Sequence, residues 1–175
     1  MNQALSARDL HIEKKTRGGE FQLSISQVSI YREEVLVVLG PNGAGKSTLL
    51  RTLAGVEAPS SGQIERDPKD RVTMVFQRPI ALAGSVLHNV RVALRAQGSP
   101  ASVADQRSLD ALEHFGIAHL SRRPASELSG GELRRLALAR AFALDPAILL
   151  LDEPFDDLDA VSQEALSLDL RNAVA

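Results

Sequence analysis

One stretch of the sequence has residue types and spacing suited to binding phosphate. Residues 40–47 read GPNGAGKS, with glycine at the first and sixth positions followed by Lys-Ser, which is the P-loop pattern. Backbone N–H groups and the start of the next helix would surround phosphate oxygens, and glycines at Gly43 and Gly45 leave room for them. Lys46 offers charge to the β- and γ-phosphates, and the Ser47 hydroxyl can bind Mg²⁺. The expected nucleotide-binding residues are Gly40, Pro41, Asn42, Gly43, Ala44, Gly45, Lys46, Ser47 and Thr48.

Two carboxylates form a second candidate site directly after an apolar run. Asp152 and Glu153 follow Ala147–Leu151, and ligands of open α/β sheets bind at the carboxyl ends of strands. Asp152 is expected to hold Mg²⁺, and Glu153 to accept a proton from an attacking water. The alternative is an acid-capped turn at the end of a strand, which the neighbouring P-loop makes less favourable.

The first third of the chain predicts strands. Phe21–Ile25 alternates apolar and polar residues, which is typical of a strand with one solvated face, and Leu5–Glu13 predicts another. Lys14–Gly19 predicts a charged loop between them. Continuous apolar runs at Val35–Leu39, Val72–Phe76 and Ile148–Leu151 predict strands buried on both faces, as in a parallel sheet.

Helical patterns lie between and after these strands. The predicted helices are Lys46–Ala54, Ser102–Phe115, Glu132–Leu144 and Ala160–Ala173. In the second, Ser102 and Asp105 have capping-box spacing, and Leu109, Leu112 and Phe115 are expected to share one apolar stripe. In the last, Val161, Ala165 and Leu168 share one face. The pattern predicts an α/β fold with a parallel core sheet, N-terminal antiparallel strands and an inserted helical lobe.

Composition excludes several classes of function. The 175 residues carry 20 basic and 22 acidic side chains, and aromatics are only 3%. A basic or base-stacking surface is therefore not expected, and nucleic acid is not an expected partner. Without cysteine there is no disulfide and no thiolate metal site. No apolar run approaches the roughly 18 residues of a membrane-spanning helix.

Three further motifs carry a resemblance to a known family. Leu128–Glu132, read as LSGGE, resembles the LSGGQ signature of ATP-binding cassette (ABC) ATPases, with Glu in the last place. Gln77 after an apolar strand resembles the Q-loop glutamine, and Phe155–Asp159 resembles the D-loop. All stand in the family's order after the P-loop, and the resemblance covers nearly the whole chain. The signature by itself has a simpler reading, an ordinary serine helix cap beside two glycines.

The resemblance implies a mechanism and a domain arrangement. The ligands would be ATP and Mg²⁺, with Gln77 contacting Mg²⁺ or the attacking water. In a head-to-tail homodimer, Ser129, Gly130 and Gly131 of one protomer would meet the γ-phosphate held by Lys46 of the other, and Asp159 would cross the interface. The core would comprise residues 1–78 and 129–175, with a helical lobe at about 79–128.

The resemblance also implies partners. The chain would be an ATP-hydrolysing subunit at the cytoplasmic face of the cell membrane, bound to a membrane-spanning permease and linked indirectly to a solute-binding protein. Residues 77–90 are similar to a run in importers of tungstate and related oxyanions. The alternative from another class is a soluble ABC-type ATPase without a permease.

The sequence departs from the family pattern at two places. The family's aromatic residue that stacks on adenine has only Arg17 or Phe21 as counterparts here. The family's switch histidine, and the strand that should follow the last helix, would lie beyond Ala175, so the chain is expected to be truncated.

Overall fold

The structure of the chain is a computed structural model that describes residues 2–16, 19–156, 158 and 160–174. The chain divides into two compact units. The first comprises Met1–Met74 with Ala147–Asp152, and the second Val75–Pro146 with Glu153–Ala175.

An antiparallel sheet of three strands opens the first unit. Strands β1 (Gln3–Thr16), β2 (Gly19–Tyr31) and β3 (Ser61–Arg66) lie in the order β2-β1-β3. Both predicted N-terminal strands are confirmed, but the predicted loop at Lys14–Gly19 is wrong in extent. Lys14 pairs with Phe21 and Lys15 with Glu20. Cross-strand pairing therefore continues as far as Thr16 and Gly19 despite the charge of this segment.

The core of the first unit lies between this sheet, a helix and a second pair of strands. Leu49 and Leu53 of α1 (Lys46–Leu53) share a buried cluster with Leu5 and Leu10 of β1. The same cluster contains Ile148 and Leu150 of β5. Strands β4 (Val72–Val75) and β5 (Ile148–Leu151) form a two-stranded sheet. Helix α1 and both of these strands are confirmed.

The strand predicted at Val35–Leu39 is wrong. The segment has no regular secondary structure, and Val35, Val37 and Leu39 are 75%, 66% and 86% exposed. Only Val38 packs against the core. An apolar run becomes a buried strand only where neighbouring strands satisfy its backbone groups, and no strand in the described residues pairs with this one.

The second unit is helical. Helices α2 (Val86–Ala96), α3 (Ala101–His114) and α4 (Gly130–Phe142) contact one another, and α5 (Ala160–Val174) ends the described chain. Short 3₁₀ turns lie at Ala118–Leu120 and Ala125–Glu127. Fully buried side chains include Val90, Leu94, Leu112, Phe115, Leu136 and Leu138.

Several details of the predicted helices are wrong. Helix α3 begins after Pro100 with no side-chain cap, so Ser102 and Asp105 form no capping box. Asp105 instead faces Arg91 at 3.3 Å. Leu109 is exposed, because the buried stripe of α3 contains Ala104, Ser108, Ala111 and Leu112.

The last two helices also differ from their predictions. Helix α4 begins at Gly130 and ends at Phe142, two residues earlier at each end than predicted. In α5, Leu168 is exposed and Leu166 is buried. The side chains of Val161 and Ala165 lie outside the described residues.

Candidate functional site

The P-loop of the first unit is built around a glycine that cannot be replaced without a clash. Gly45 precedes α1 with φ of 97°. A Cβ there would lie 2.9 Å from Cζ of Phe21 and 3.0 Å from Cδ2 of Leu23. Both the left-handed backbone and the close packing require glycine. Phe21 thus lies against the P-loop.

The start of α1 keeps the features of an anion site. No side chain caps this helix, and its first turn contains no acidic residue. Its positive end is therefore not neutralised from within the helix. The Lys46 ammonium donates to the backbone carbonyls of Gly40 and Pro41, at 3.0 and 3.2 Å. The lysine side chain thus lies along the loop that a phosphate would enter.

Ser47 and Asp152 meet within the first unit, although 105 positions separate them. The Ser47 hydroxyl donates to Oδ1 of Asp152 at 2.7 Å. Asp152 is only 2% exposed, and its second oxygen, Oδ2, is buried without a hydrogen-bond partner. A buried carboxylate oxygen normally finds a partner. A hydroxyl beside an unpartnered carboxylate oxygen fits Mg²⁺, which prefers oxygen ligands.

This pair would hold a metal only together with other ligands. In the part of the chain that the structure describes, no group of three or more histidine, aspartate or glutamate side chains could bind a metal ion. Magnesium in nucleotide sites usually takes one or two protein ligands, with water and substrate phosphates completing the shell. The pair therefore fits a nucleotide-linked ion better than a metal site formed by protein alone.

Gln77 lies between two carboxylates in the second unit. Its side-chain nitrogen donates to Glu153 at 2.6 Å and to Asp156 at 3.0 Å. Since ionised carboxylates only accept hydrogen bonds, these two partners assign the amide nitrogen to their side. The amide oxygen of Gln77 remains as the atom for a metal or a water. Sequence reasoning missed Asp156; its signal was a third acid close behind Asp152 and Glu153.

Glu153 has a strained backbone. Its φ is 48°, in the left-handed region that non-glycine residues rarely adopt. Such a conformation costs on the order of 1–3 kcal/mol and occurs often at functional sites. Arg134 of α4 donates to the carbonyls of Glu153 and Pro154, at 3.4 and 2.5 Å, and so stabilises the turn. Sequence reasoning missed Arg134 as well, because its partner lies about 20 residues away.

The start of α4 combines a helix cap with two glycines that the chain itself does not need. Ser129 caps the helix, and Ser129 and Glu132 form a complete capping box. Ser129, Gly130 and Gly131 are exposed, and a Cβ on either glycine would meet nothing within 4 Å. Glycine disfavours helix formation by about 0.5–1 kcal/mol relative to alanine. Packing within this chain therefore does not explain the pair.

The remaining predicted positions are less informative. Thr48 lies in α1, where its carbonyl accepts a hydrogen bond from the Thr52 hydroxyl at 2.9 Å. Asp159, and with it Arg17, lies outside the described residues. Among the helices that the structure describes, none is both long enough and apolar enough to cross a membrane.

Sequence comparison identifies relatives that are named as ATP-binding proteins of uptake or import. The tungstate uptake system ATP-binding protein TupC of Peptoclostridium acidaminophilum is 36% identical over 87% of this chain and 74% of its own length. The sulfate/thiosulfate import ATP-binding protein CysA 1 of Shewanella oneidensis is 39% identical over 96% and 48%. The xylose/arabinose import ATP-binding protein XacJ of Haloferax volcanii is 41% identical over 80% and 39%. The chain thus spans about half or less of the last two relatives.

Solved structures share the fold. The structure of cbiO1 from Clostridium perfringens, part of the ABC transporter complex cbiONQ, has a TM-score of 0.82 at 30% identity, covering 99% of this chain and 74% of that chain. A dimeric ATP-binding cassette, MJ0796, in a post-hydrolysis state bound to ADP and Pi, has a TM-score of 0.83 at 24% identity over 97% and 82%. Because MJ0796 is only 24% identical to this chain, its similarity shows the fold alone. The predicted α/β class is confirmed.

The model of the ABC transporter family matches residues 23–156, which is well over half of the chain. The match includes the P-loop, Gln77, the LSGGE segment and both carboxylates of Asp152-Glu153, and so confirms the resemblance found in the sequence. The chain belongs to the ABC transporter family, as one of the family's ATPase domains.

Proposed function

We propose that this chain binds and hydrolyses ATP to energise an ABC importer. The observation that carries the proposal is the pairing of Ser47 with Asp152, which leaves one buried carboxylate oxygen without a partner. That oxygen lies beside a hydroxyl of the P-loop helix, where a nucleotide-bound Mg²⁺ would find two protein oxygens. The metal would screen the charge of the phosphates during their transfer.

Lys46 and the P-loop hold the phosphates in this proposal. The uncapped start of α1 supplies backbone N–H groups to them. The Lys46 ammonium would exchange its two carbonyl partners for phosphate oxygens. An ionised acceptor makes a stronger hydrogen bond than a carbonyl does, so this exchange favours the bound nucleotide.

Glu153 and Gln77 act on the attacking water. The carboxylate of Glu153 accepts its proton, and the amide oxygen of Gln77 orients the water or the metal. The contacts of Gln77 with Glu153 and Asp156 support this assignment, because they direct its nitrogen toward the carboxylates. The strained φ of Glu153 is further support for a functional role.

The signature segment serves a second copy of the chain. Ser129, Gly130 and Gly131 contact the γ-phosphate bound by the partner in a head-to-tail homodimer. The support is the exposure of these glycines and the open space around them. Glycines that a chain does not need for its own packing allow close approach of another molecule.

The remaining partners follow from the relatives. The chain has a core at 1–78 and 129–175 and a helical lobe at about 79–128. A permease binds to the helical lobe, at the cytoplasmic face of the membrane. A solute-binding protein delivers the cargo. Relatives named for tungstate and sulfate support an oxyanion, whereas the relative named for xylose and arabinose shows that similar chains serve other cargoes.

The run at residues 77–90, which is similar to one in tungstate importers, is weak support for an oxyanion as the transported solute. Ser85 caps α2 by accepting from the His88 backbone. The buried Asn89 exchanges two hydrogen bonds with the backbone of Leu82, at 2.7 and 3.0 Å, and donates to the Ser85 carbonyl. The contacts of these residues stabilise a loop. Such a loop is compatible with any transported solute.

The proposal is tested with Lys46→Ala. ATP affinity should fall by more than about tenfold, because the phosphates lose a charge-assisted hydrogen bond, and phosphate release should stop. Titration calorimetry with Mg-ATP measures the first effect. Lys69→Ala is the matched control, since it removes an exposed lysine from a loop turn. Unchanged affinity in Lys46→Ala would contradict the proposal.

A further inference from the structure

The single hydroxyl proton of Ser129 is already used within the chain. Its Oγ donates to Oε2 of Glu132 at 2.8 Å, and the Ser129 backbone N–H donates to the same oxygen at 2.7 Å. The serine oxygen in turn accepts from the Glu132 backbone at 3.3 Å. Because a carboxylate can only accept, the direction of the hydroxyl bond is settled.

A phosphate oxygen is also only an acceptor. A serine hydroxyl has one proton, so it cannot donate to the Glu132 carboxylate and to a phosphate at the same time. Both are charge-assisted bonds of similar kind. Contact of Ser129 with a γ-phosphate therefore requires the Glu132 contact to break.

The charge of Glu132 acts in the same direction. Hydrogen bonds from the Ser129 backbone and then from its hydroxyl lower the pKa of Glu132, aided weakly by Arg123 and His119. The carboxylate is therefore ionised at neutral pH. A negative group bonded directly to Ser129 repels an incoming phosphate, and this repulsion weakens as salt increases.

We infer that Glu132 is a positioning residue that restrains Ser129 and opposes its contact with a nucleoside triphosphate held by a second copy of this chain. This inference rests on the proposed function, in which Ser129 meets that γ-phosphate. Glu132 thus raises the concentrations of protein and of ATP that are needed for two copies to form a dimer around bound ATP. Glutamine at this place, as in the LSGGQ form of the motif, keeps an acceptor for the cap but lacks the charge.

The test compares Glu132→Gln with the parent, both in a Glu153→Gln background that prevents hydrolysis. The amide oxygen of glutamine can still accept from the Ser129 N–H, so the helix cap and the melting temperature should be retained. The dimer dissociation constant in Mg-ATP, measured by analytical ultracentrifugation, should fall about threefold to fivefold in Glu132→Gln. The difference between the dissociation constants of the parent and of Glu132→Gln should be smaller in about 1 M salt than in about 0.1 M salt.

Two further variants separate the cap from the charge. Glu132→Ala loses both and should melt at a lower temperature than Glu132→Gln, and the difference between these two variants gives the cost of the cap. In a Ser129→Ala background the effect of Glu132→Gln should shrink, because no hydroxyl proton remains to be released. An effect of full size in that background would mean that charge acts without the hydroxyl and would overturn the restraint on Ser129.

The outcomes distinguish this inference from the proposed function. If the parent chain binds ATP and Glu132→Gln dimerises equally or more weakly, the role of Glu132 is wrong while the proposed function stands. If ATP binds but no variant dimerises, the inference is overturned together with the head-to-tail dimer. Absence of ATP binding in the parent would contradict the proposed function itself.

Discussion

At the scale of single residues, Asp152 shows how a binding site differs from a structural contact. One of its oxygens accepts from Ser47, and the other is buried without a partner. We expect Asp152→Asn to raise the stability of the nucleotide-free chain by about 1 kcal/mol, because a buried charge is removed while the Ser47 contact can persist. The same change should remove the extra thermal stabilisation that Mg-ATP gives over ATP with a chelator. Melting curves in the three conditions measure both effects.

Asp70 is the matched control at the same scale. It is also largely buried in the first unit, but its carboxylate pairs with Arg32 at 2.5 Å. Asp70→Asn should lower stability, because a paired charge is lost, and should leave the Mg²⁺ effect intact. If Asp152→Asn destabilises the nucleotide-free chain as Asp70→Asn does, the unpartnered oxygen is not a preformed metal ligand.

At the scale of elements, two glycines at the starts of helices should respond oppositely to alanine. Gly45→Ala introduces a Cβ 2.9 Å from Phe21 in a left-handed backbone and should destabilise by about 1–3 kcal/mol. Gly131→Ala meets open space in α4 and should stabilise by about 0.5 kcal/mol. Chemical denaturation measures both. Equal destabilisation by the two changes would mean that the chain itself needs Gly131.

At the scale of the whole molecule, the proposed dimer should depend on the proton acceptor. Glu153→Gln keeps the shape of the side chain but cannot take a proton from water. Bound ATP should then persist, and the chain should shift from monomer to dimer in Mg-ATP but not in ADP. Size-exclusion chromatography with light scattering measures the shift. Glu164→Gln, an exposed position on α5, is the control; a monomeric Glu153→Gln at saturating ATP would contradict the assignment of the base.

Features that depend on local spacing could be read from the sequence. The P-loop glycines, the start of α1 after Gly45, and the strands β1, β2, β4 and β5 all follow from neighbouring residues in the chain. The serine cap of α4 is local in the same way. Such features depend on backbone conformations and hydrogen bonds within a few positions, which residue types largely determine.

Features that depend on distant neighbours required the tertiary structure. The apolar run at Val35–Leu39 predicts a buried strand, yet it has no pairing strand in the described residues. On α3, Leu109 is not buried, because the facing helices cover Ala104, Ala111 and Leu112 instead. Asp156 and Arg134 enter the site only through contacts with Gln77 and with the turn at Glu153. The sequence by itself therefore determined the family and the phosphate-binding chemistry, whereas burial and the partners of each polar group were decided by chain segments that meet only in the folded molecule.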